Sequence, residues 1–228
     1  MIRIRAFRAI DEPETCEQFI EGHIRVLKAF KITMITSAKA EWIEDPNTFV
    51  LVAEAVESGR VLGGARIQIR GNTFPLPIET AVSKIDNNVH SVVEEYSKFG
   101  TGELCGLWNS REIAGLGIGS TFLIRTAVCI TLQLNLKTLF ALCAPYIVEI
   151  ALKTGFQIAT FLGDNGTFYY PKEGLIATAA VIPDVKTLLT ADAEERSNIF
   201  ALRENLKQTR VEEGRRELFQ LEYDLKLN

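Results

Sequence analysis

The sequence predicts an α/β protein with a C-terminal helix–strand extension, and three observations carry that prediction. Segments of strand periodicity and helix periodicity alternate along residues 1–182, as in a sheet covered by helices. Two apolar runs, 48–56 and 61–70, flank Glu57-Ser58-Gly59-Arg60, the signature of a β-hairpin with a short glycine-bearing turn. Ala114-Gly115-Leu116-Gly117-Ile118-Gly119-Ser120 joins a strand at 102–109 to a long apolar helix at 119–134.

The elements follow in order. Residues 2–8 alternate apolar and basic, giving a first strand. Asp11-Glu12-Pro13-Glu14 has the acids and proline of a helix start, and Phe19, Ile20, Ile24, Leu27 and Phe30 continue it at helical spacing. The hairpin comes next. Residues 72–100 read as an insertion, with Val89, Val92, Val93 and Tyr96 spaced for a helix. After the glycine turn and its helix, residues 137–143 form an apolar strand. Pro145 opens another helix, which Gly155 caps. Short strands are expected at 157–162, 167–170 and 176–182. Pro183-Asp184 marks a change in composition. Residues 187–213 read as helix-forming, and 215–227 as a strand with Phe219, Leu221, Tyr223, Leu225 and Leu227 on one face. The expected units are residues 1–185 and a 186–228 extension packed on the main domain or forming a homodimer.

Composition narrows the function classes. The chain has 228 residues, 47% apolar and 24% charged, enough to build a real core. The net charge is −4 with no long basic run, which argues against nucleic acid as a partner. Small basic groups such as Arg3/Arg5/Arg8 and Arg215/Arg216 read as solvated strand or turn positions. Cys16, Cys105, Cys129 and Cys143 are scattered, and His23 and His90 are the only histidines. No metal site and no disulfide framework is expected, and reduced thiols fit a cytoplasmic protein. The charged, alternating N-terminus is no signal peptide. The apolar stretch 121–136 is interrupted by Arg125 and Gln133, so no membrane span is expected.

The glycine turn carries the functional reading. A helix N-terminus has unpaired N–H groups and a partial positive charge. Three glycines at alternate positions leave that backbone bare, which suits a phosphate or pyrophosphate. A tight connection without ligand is the simpler alternative, but three glycines exceed what one turn needs.

The order of elements, with Ala114 to Ser120, Leu136-Lys137-Thr138-Leu139 and Lys153-Thr154-Gly155-Phe156, resembles the GCN5-related N-acetyltransferase superfamily. The similarity covers most of residues 1–182. It implies a central mixed, mostly antiparallel sheet flanked by helices. It also implies acetyl-CoA or a longer acyl-CoA, or an acyl carrier protein, as donor and a small-molecule amine or amino acid as acceptor. Mapped onto this chain, Ala114, Gly115, Leu116, Gly117, Ile118, Gly119 and Ser120 would cradle the pyrophosphate. A bulged, splayed strand at Leu107, Trp108 and Asn109 would hold the pantetheine arm. Where the family usually has Gln or Arg ahead of the glycines, this chain has Ala114, with Arg111 nearby. The family Asn of the next helix aligns near Ala144, and its Tyr general acid aligns with Ala151. Leu76-Pro77-Ile78-Glu79 and Gly102-Glu103-Leu104-Cys105 also look like the acyl-homoserine lactone synthases and N-acyl amino acid synthases. The strand motif Glu-x-x-Arg of those enzymes would put Arg where Gly106 stands.

Acyl transfer to an amine needs a base, stabilisation of the oxyanion and an exit for the thiolate. Glu103 is the leading base, on one face with Cys105, Leu107 and Asn109 by strand alternation. Glu79 is a second candidate, more simply read as solvated. Tyr146 is the candidate acid, with Tyr169 and Tyr170 as other stand-ins. Cys143 reads as a buried thiol, and His23 as a surface or interface residue. The alternative to an enzyme is a non-catalytic acyl-CoA-binding or scaffold protein, motivated by Ala114, Ala144 and Ala151. A dinucleotide site fits less well, because Gly115-x-Gly117-x-Gly119 is not Gly-x-Gly-x-x-Gly.

Overall fold

The computed structural model describes residues 1–32, 40–71, 74–115, 118–214 and 218–227. Within it one sheet runs in the order β6-β8-β5-β4-β3-β2-β1-β10-β9, with β7 paired to β8. The central strands are β1 (Ile2–Arg8), β2 (Thr48–Ala55), β3 (Val61–Ile69), β4 (Thr101–Asn109) and β5 (Thr138–Cys143). The remaining strands are β6 (Gln157–Ile158), β7 (Thr167–Tyr169), β8 (Ile176–Ile182), β9 (Lys207–Glu213) and β10 (Leu218–Asp224). The β4–β5 and β1–β10 pairs are parallel. The others are antiparallel. The sheet is therefore mixed and mostly antiparallel, as expected.

Helices cover both faces because strand residues alternate between two apolar clusters. Along β2, Leu51 and Ala53 join a cluster with α5 (Ser120–Ile130), α6 (Pro145–Lys153) and α7 (Ala193–Glu204). Val50 and Val52 instead join Phe19 of α1 (Pro13–Ala29) and Trp42. A third cluster packs α2 (Pro77–Val82) and α3 (Asn88–Ser97) over β5 and β8. Helix α1 lies close to β4 at Gly22. A Cβ there would fall 2.0 Å from the Trp108 ring, so only glycine admits this approach.

The expected C-cap is present. Gly155 follows α6 with φ +107, and the buried Phe156 donates its N–H to Ala151 O at 3.1 Å, a left-handed helix end. Three expectations require correction. The strand expected at 157–162 is confined to Gln157–Ile158. The helix expected at 119–134 ends at Ile130, and a short α4 (Arg111–Gly115) precedes it. The helix expected over 187–213 is confined to Ala193–Glu204. Residues 207–213 form β9, because Val211 and its neighbours pair with β10. The expected apolar face of the tail holds, with Leu221, Tyr223 and Leu225 buried and Phe219 and Leu227 packed against the core.

The tail is tied down by charge as well. Arg125 of α5 donates two hydrogen bonds to Glu195 of α7, at 2.8 and 2.7 Å, and one to Glu212 of β9 at 3.4 Å. Tyr223 O–H donates to Glu212 at 2.7 Å. Arg125 read from sequence as an interruption of the apolar stretch 121–136. It is buried, and this network compensates it.

Candidate active site

Strand β4 builds the site through two departures from a regular ladder. Cys105 pairs with Arg66 and Trp108 with Gly64, so Gly106 and Leu107 together oppose Ala65. This is a β-bulge. Gly106 has φ +63, which glycine adopts without strain. On the other side, β4 pairs with β5 only from Thr101 to Leu104. Beyond Leu104 the two strands splay, and the main chain of β4 has no strand partner there.

The bulge corrects the facial assignment of the candidates. Strict alternation puts Glu103, Cys105, Leu107 and Asn109 together. The extra residue turns Leu107 and Asn109 to the α5 face. Leu107 packs on the α5 cluster, and Asn109 Nδ2 donates to Ser120 Oγ at 3.1 Å. Trp108 moves to the α1 face with Phe19. Glu103 and Cys105 thus share their face with Trp108.

A cavity of about 650 Å³ passes through the splay. Its wall includes the predicted Glu103, Leu107 and Tyr146, brought together from β4 and α6. Leu104, Ile124, Ala141 and Ala151 supply an apolar lining on the α5 face. Ala151, at the position of the family Tyr, thus contributes space rather than a hydroxyl. Tyr146 stands at the mouth and is exposed.

Glu103 is 2% exposed, and its Oε2 accepts the Ile78 N–H at 2.6 Å. Burial pushes its carboxyl up to about 8, and the nearby Glu79 charge adds to the rise. The Ile78 hydrogen bond and Arg66 oppose it. A carboxyl with that value is poised to take a proton near neutral pH. The Cys105 and Cys143 thiols are pushed up to about 12, chiefly by burial, so both stay protonated and unreactive.

Two other expectations are overturned. His23 is 4% exposed rather than at the surface. Gly22 brings its helix against β4, and burial together with Arg66 lowers its imidazole to about 4. It is neutral in the cavity wall, and its Nδ1 has no hydrogen-bond partner. Glu79 is buried rather than solvated. It accepts the Leu76 N–H at 2.7 Å and lies near Arg70 and His90.

Arg66 is the side chain that sequence reasoning missed. It pairs with Cys105 across the β3–β4 ladder, and Gln68 pairs with Glu103, so all four share a face. Arg66 is 2% exposed and lies over the Trp42 ring at 4.7 Å. Among the described residues, its Nε and Nη1 have no hydrogen-bond partner and no carboxylate lies within ion-pairing distance of it, although Glu103 is near enough to feel its charge. A buried guanidinium of this kind needs an anion. A small hollow beside it, about 120 Å³, is walled by Glu41, Trp42, Gln68, Pro75 and Thr80, and Pro77 borders both cavities. The available signal was Arg66 and Gln68 at spacing two in an otherwise apolar strand.

At the glycine turn, Leu116 and Gly117 lie outside the described residues. Gly119 is the extended N-cap of α5, with no side-chain cap. First-turn N–H groups of α5 are therefore free of a capping side chain. A Cβ on Gly115 or Gly119 would meet nothing within 4 Å, so the protein interior does not require glycine there. That open backbone fits a pyrophosphate. Ala114 is exposed beside it, and Ile118 is core. Among the described residues, no group of three His, Cys, Asp or Glu could hold a metal ion. No helix there is long and apolar enough to cross a membrane.

No protein-family model and no curated sequence matches the chain. Solved structures do. An N-acyl amino acid synthase, FeeM, from uncultured soil microbes superposes with a TM-score of 0.63 at 14% identity. The match covers 84% of this chain and 99% of that one. The CoA-dependent acyl-homoserine lactone synthase BjaI, solved with SAM and isopentyl-CoA, gives 0.58 at 14% identity over 100% and 94%. The acyl-homoserine lactone synthase LasI gives 0.55 at 14% identity over 81% and 90%. These likenesses give the chain the fold of the N-acyl amino acid and acyl-homoserine lactone synthases.

Proposed function

We propose that this chain is an N-acyltransferase that moves an acyl group longer than acetyl from a thioester donor to the amine of an amino acid. One observation carries the reading. A largely apolar cavity of about 650 Å³ threads the β4–β5 splay and holds the buried Glu103 in its wall. That volume is in the range of sites for drug-sized ligands, far more than a two-carbon acyl group fills. FeeM and BjaI, whose structures are similar, are described as an N-acyl amino acid synthase and a CoA-dependent acyl-homoserine lactone synthase.

The chemistry follows from the groups in place. The pantetheine arm of the donor runs along the unpaired edge of β4, with its phosphates at the start of α5. Arg66 meets the acceptor carboxylate beside the Glu103 wall. Glu103, once ionised, takes the ammonium proton. The freed amine then attacks the thioester carbonyl. Main-chain N–H groups beyond Leu104 meet the charge that develops on its oxygen. In this reading Tyr146, at the mouth, protonates the thiolate as the C–S bond breaks, and the second proton of the amine nitrogen passes to the tyrosinate oxygen left behind.

The test is thiol release from acyl-CoAs of increasing length over a panel of amines and amino acids. Turnover that rises with chain length and needs an acceptor carboxylate supports the reading. A second reading, a non-catalytic acyl-CoA binder, rests on Ala144 and Ala151 at the family's Asn and Tyr positions. It predicts a thermal shift with acyl-CoA and no thiol release. A ligand at a hundred times its Kd stabilises by about 2.7 kcal/mol, a shift of about 5–10 °C for a chain of this length. Neither shift nor turnover with any acyl-CoA or acyl carrier protein would sink both.

A further inference from the structure

Two buried carboxylates hold the same turn of chain. Glu103 Oε2 accepts the Ile78 N–H at 2.6 Å. Glu79 Oε2 reaches back to the Leu76 N–H at 2.7 Å, the acidic half of a capping box at the start of α2. Both carboxylates are almost wholly buried, Glu79 at 1% and Glu103 at 2% exposed. The turn that presents the Ile78 N–H to Glu103 is thus the one Glu79 closes.

Glu79 is held in turn from two other elements. Arg70, just past β3, brings Nε to 2.9 Å from Glu79 Oε2. That N–H makes no aligned hydrogen bond, so the contact is one of charge. His90 of α3 places Nδ1 3.1 Å from Glu79 Oε1. Glu79 is thus fixed by β3, α2 and α3 together, and it touches neither cavity.

We propose that Glu79 is a positioning residue for Glu103: its carboxylate closes the 76–79 turn that orients the Glu103 carboxyl, and its charge acts on that carboxyl from α2. The proposal rests on Glu103 being the base. The groups that face Glu103 are Arg66 and Gln68 from β3, Cys105 on its own strand, Cys143 from β5, His23 from α1 and Glu79 from α2. Glu79 is the carboxylate among them. Burial is the larger cause of the high Glu103 value, and the Glu79 charge adds to it.

The experiment follows the Glu103 carboxyl directly, by ¹³C NMR titration of glutamate-labelled protein, with Glu103→Gln identifying the resonance. The pH dependence of kcat/KM is measured in parallel. Glu79→Gln keeps the shape and can still accept the Leu76 N–H, but it loses the charge. It should lower the Glu103 midpoint and the acid limb of kcat/KM together, by about 0.5–1.5 pH units. Arg70→Gln removes a cation and should move both the opposite way. A role in packing alone would move neither midpoint. If folded Glu79→Gln leaves the Glu103 titration in place, the proposal is overturned. Should Glu79→Gln not fold, Arg70→Gln decides: a raised Glu103 midpoint supports the proposal and an unmoved one overturns it. A Glu103 midpoint that moves while the activity limb stays supports the positioning and removes Glu103 as the base.

Discussion

The Glu103 carboxylate accepts the Ile78 backbone N–H at 2.6 Å, joining a strand residue to a helix start 25 positions earlier in the chain. That contact fixes where the carboxyl points, and burial fixes when it ionises. The two effects oppose each other, since the hydrogen bond favours the ionised form and burial the neutral one. Burial wins, with a value of about 8 against an ordinary 4.5.

Replacing Glu103 with Gln should abolish acyl transfer, by about 10²–10⁴-fold, and stabilise the protein in alkali. A carboxyl raised on folding keeps its proton in the native state while the unfolded chain loses it. Native stability therefore falls as pH rises from about 4.5 through about 8. Glu103→Gln escapes that loss. Its gain at pH 8 should be on the order of 3–5 kcal/mol and shrink toward zero near pH 5. Denaturant unfolding at the two pH values checks it. A variant no more stable at pH 8 than at pH 5, relative to the parent, would contradict the buried neutral carboxyl.

On the proposed function, the parent protein should gain kcat/KM with pH along a limb near 8, where Glu103 loses its proton. His23, lowered to about 4, contributes no limb in that range. Thiol release measured between pH 6 and 9 gives the profile. A rate flat across that interval would take Glu103 out of the proton transfer.

Arg66→Gln should raise KM for an amino-acid acceptor about 10–100-fold, the weight of a charge-assisted hydrogen bond. The corresponding amine without its carboxylate should be used no worse by the variant than by the parent. Equal losses on both acceptors would show that Arg66 serves packing against Trp42 instead of recognition.

Chain-length preference should follow the alanines of the cavity. Each methylene buried from water contributes about 0.8 kcal/mol, about fourfold in kcat/KM per carbon. Ala151→Phe fills part of the α5-face lining. It should cut turnover of long acyl donors while sparing short ones. An unchanged length profile would place the acyl chain elsewhere.

Arg125→Ala should cost about 3 kcal/mol, because it leaves the part-buried Glu195 without its cation and the buried Glu212 with Arg210 alone, at 3.8 Å. The loss should appear as a lower Tm and faster proteolysis within 193–224, the helix and hairpin that these contacts hold. A Tm within 2 °C of the parent would mean that the apolar face of the tail suffices.

Much of this was legible in the chain because it rests on local pattern. The hairpin at 48–70, the first strand, the strand 101–109 and the Gly155 cap all follow from periodicity and turn chemistry over a few residues. Glu103 was legible as a candidate because an acid inside an apolar strand is rare. Arg66 was not singled out, although it carries the same signal, since its meaning depends on which strand lies beside it. His23 and Glu79 were misread for a related reason. Their helices look amphipathic or short, and their burial depends on Gly22 meeting Trp108 and on Arg70 and His90 meeting Glu79.

The sequence by itself determined the α/β class, the order of most elements, the strand that carries Glu103 and the bare backbone before α5, because each depends on neighbours a few positions apart. Only the tertiary structure decided the rest. The single extra residue at Gly106 turns Leu107 and Asn109 to the other face. The early end of β4–β5 pairing opens the cavity. The fold brings Arg66, Glu103, His23 and Glu79 from four elements into one electrostatic environment. Those outcomes depend on register and burial between segments 25 to 80 residues apart, and no local pattern encodes what a side chain will meet across such a distance.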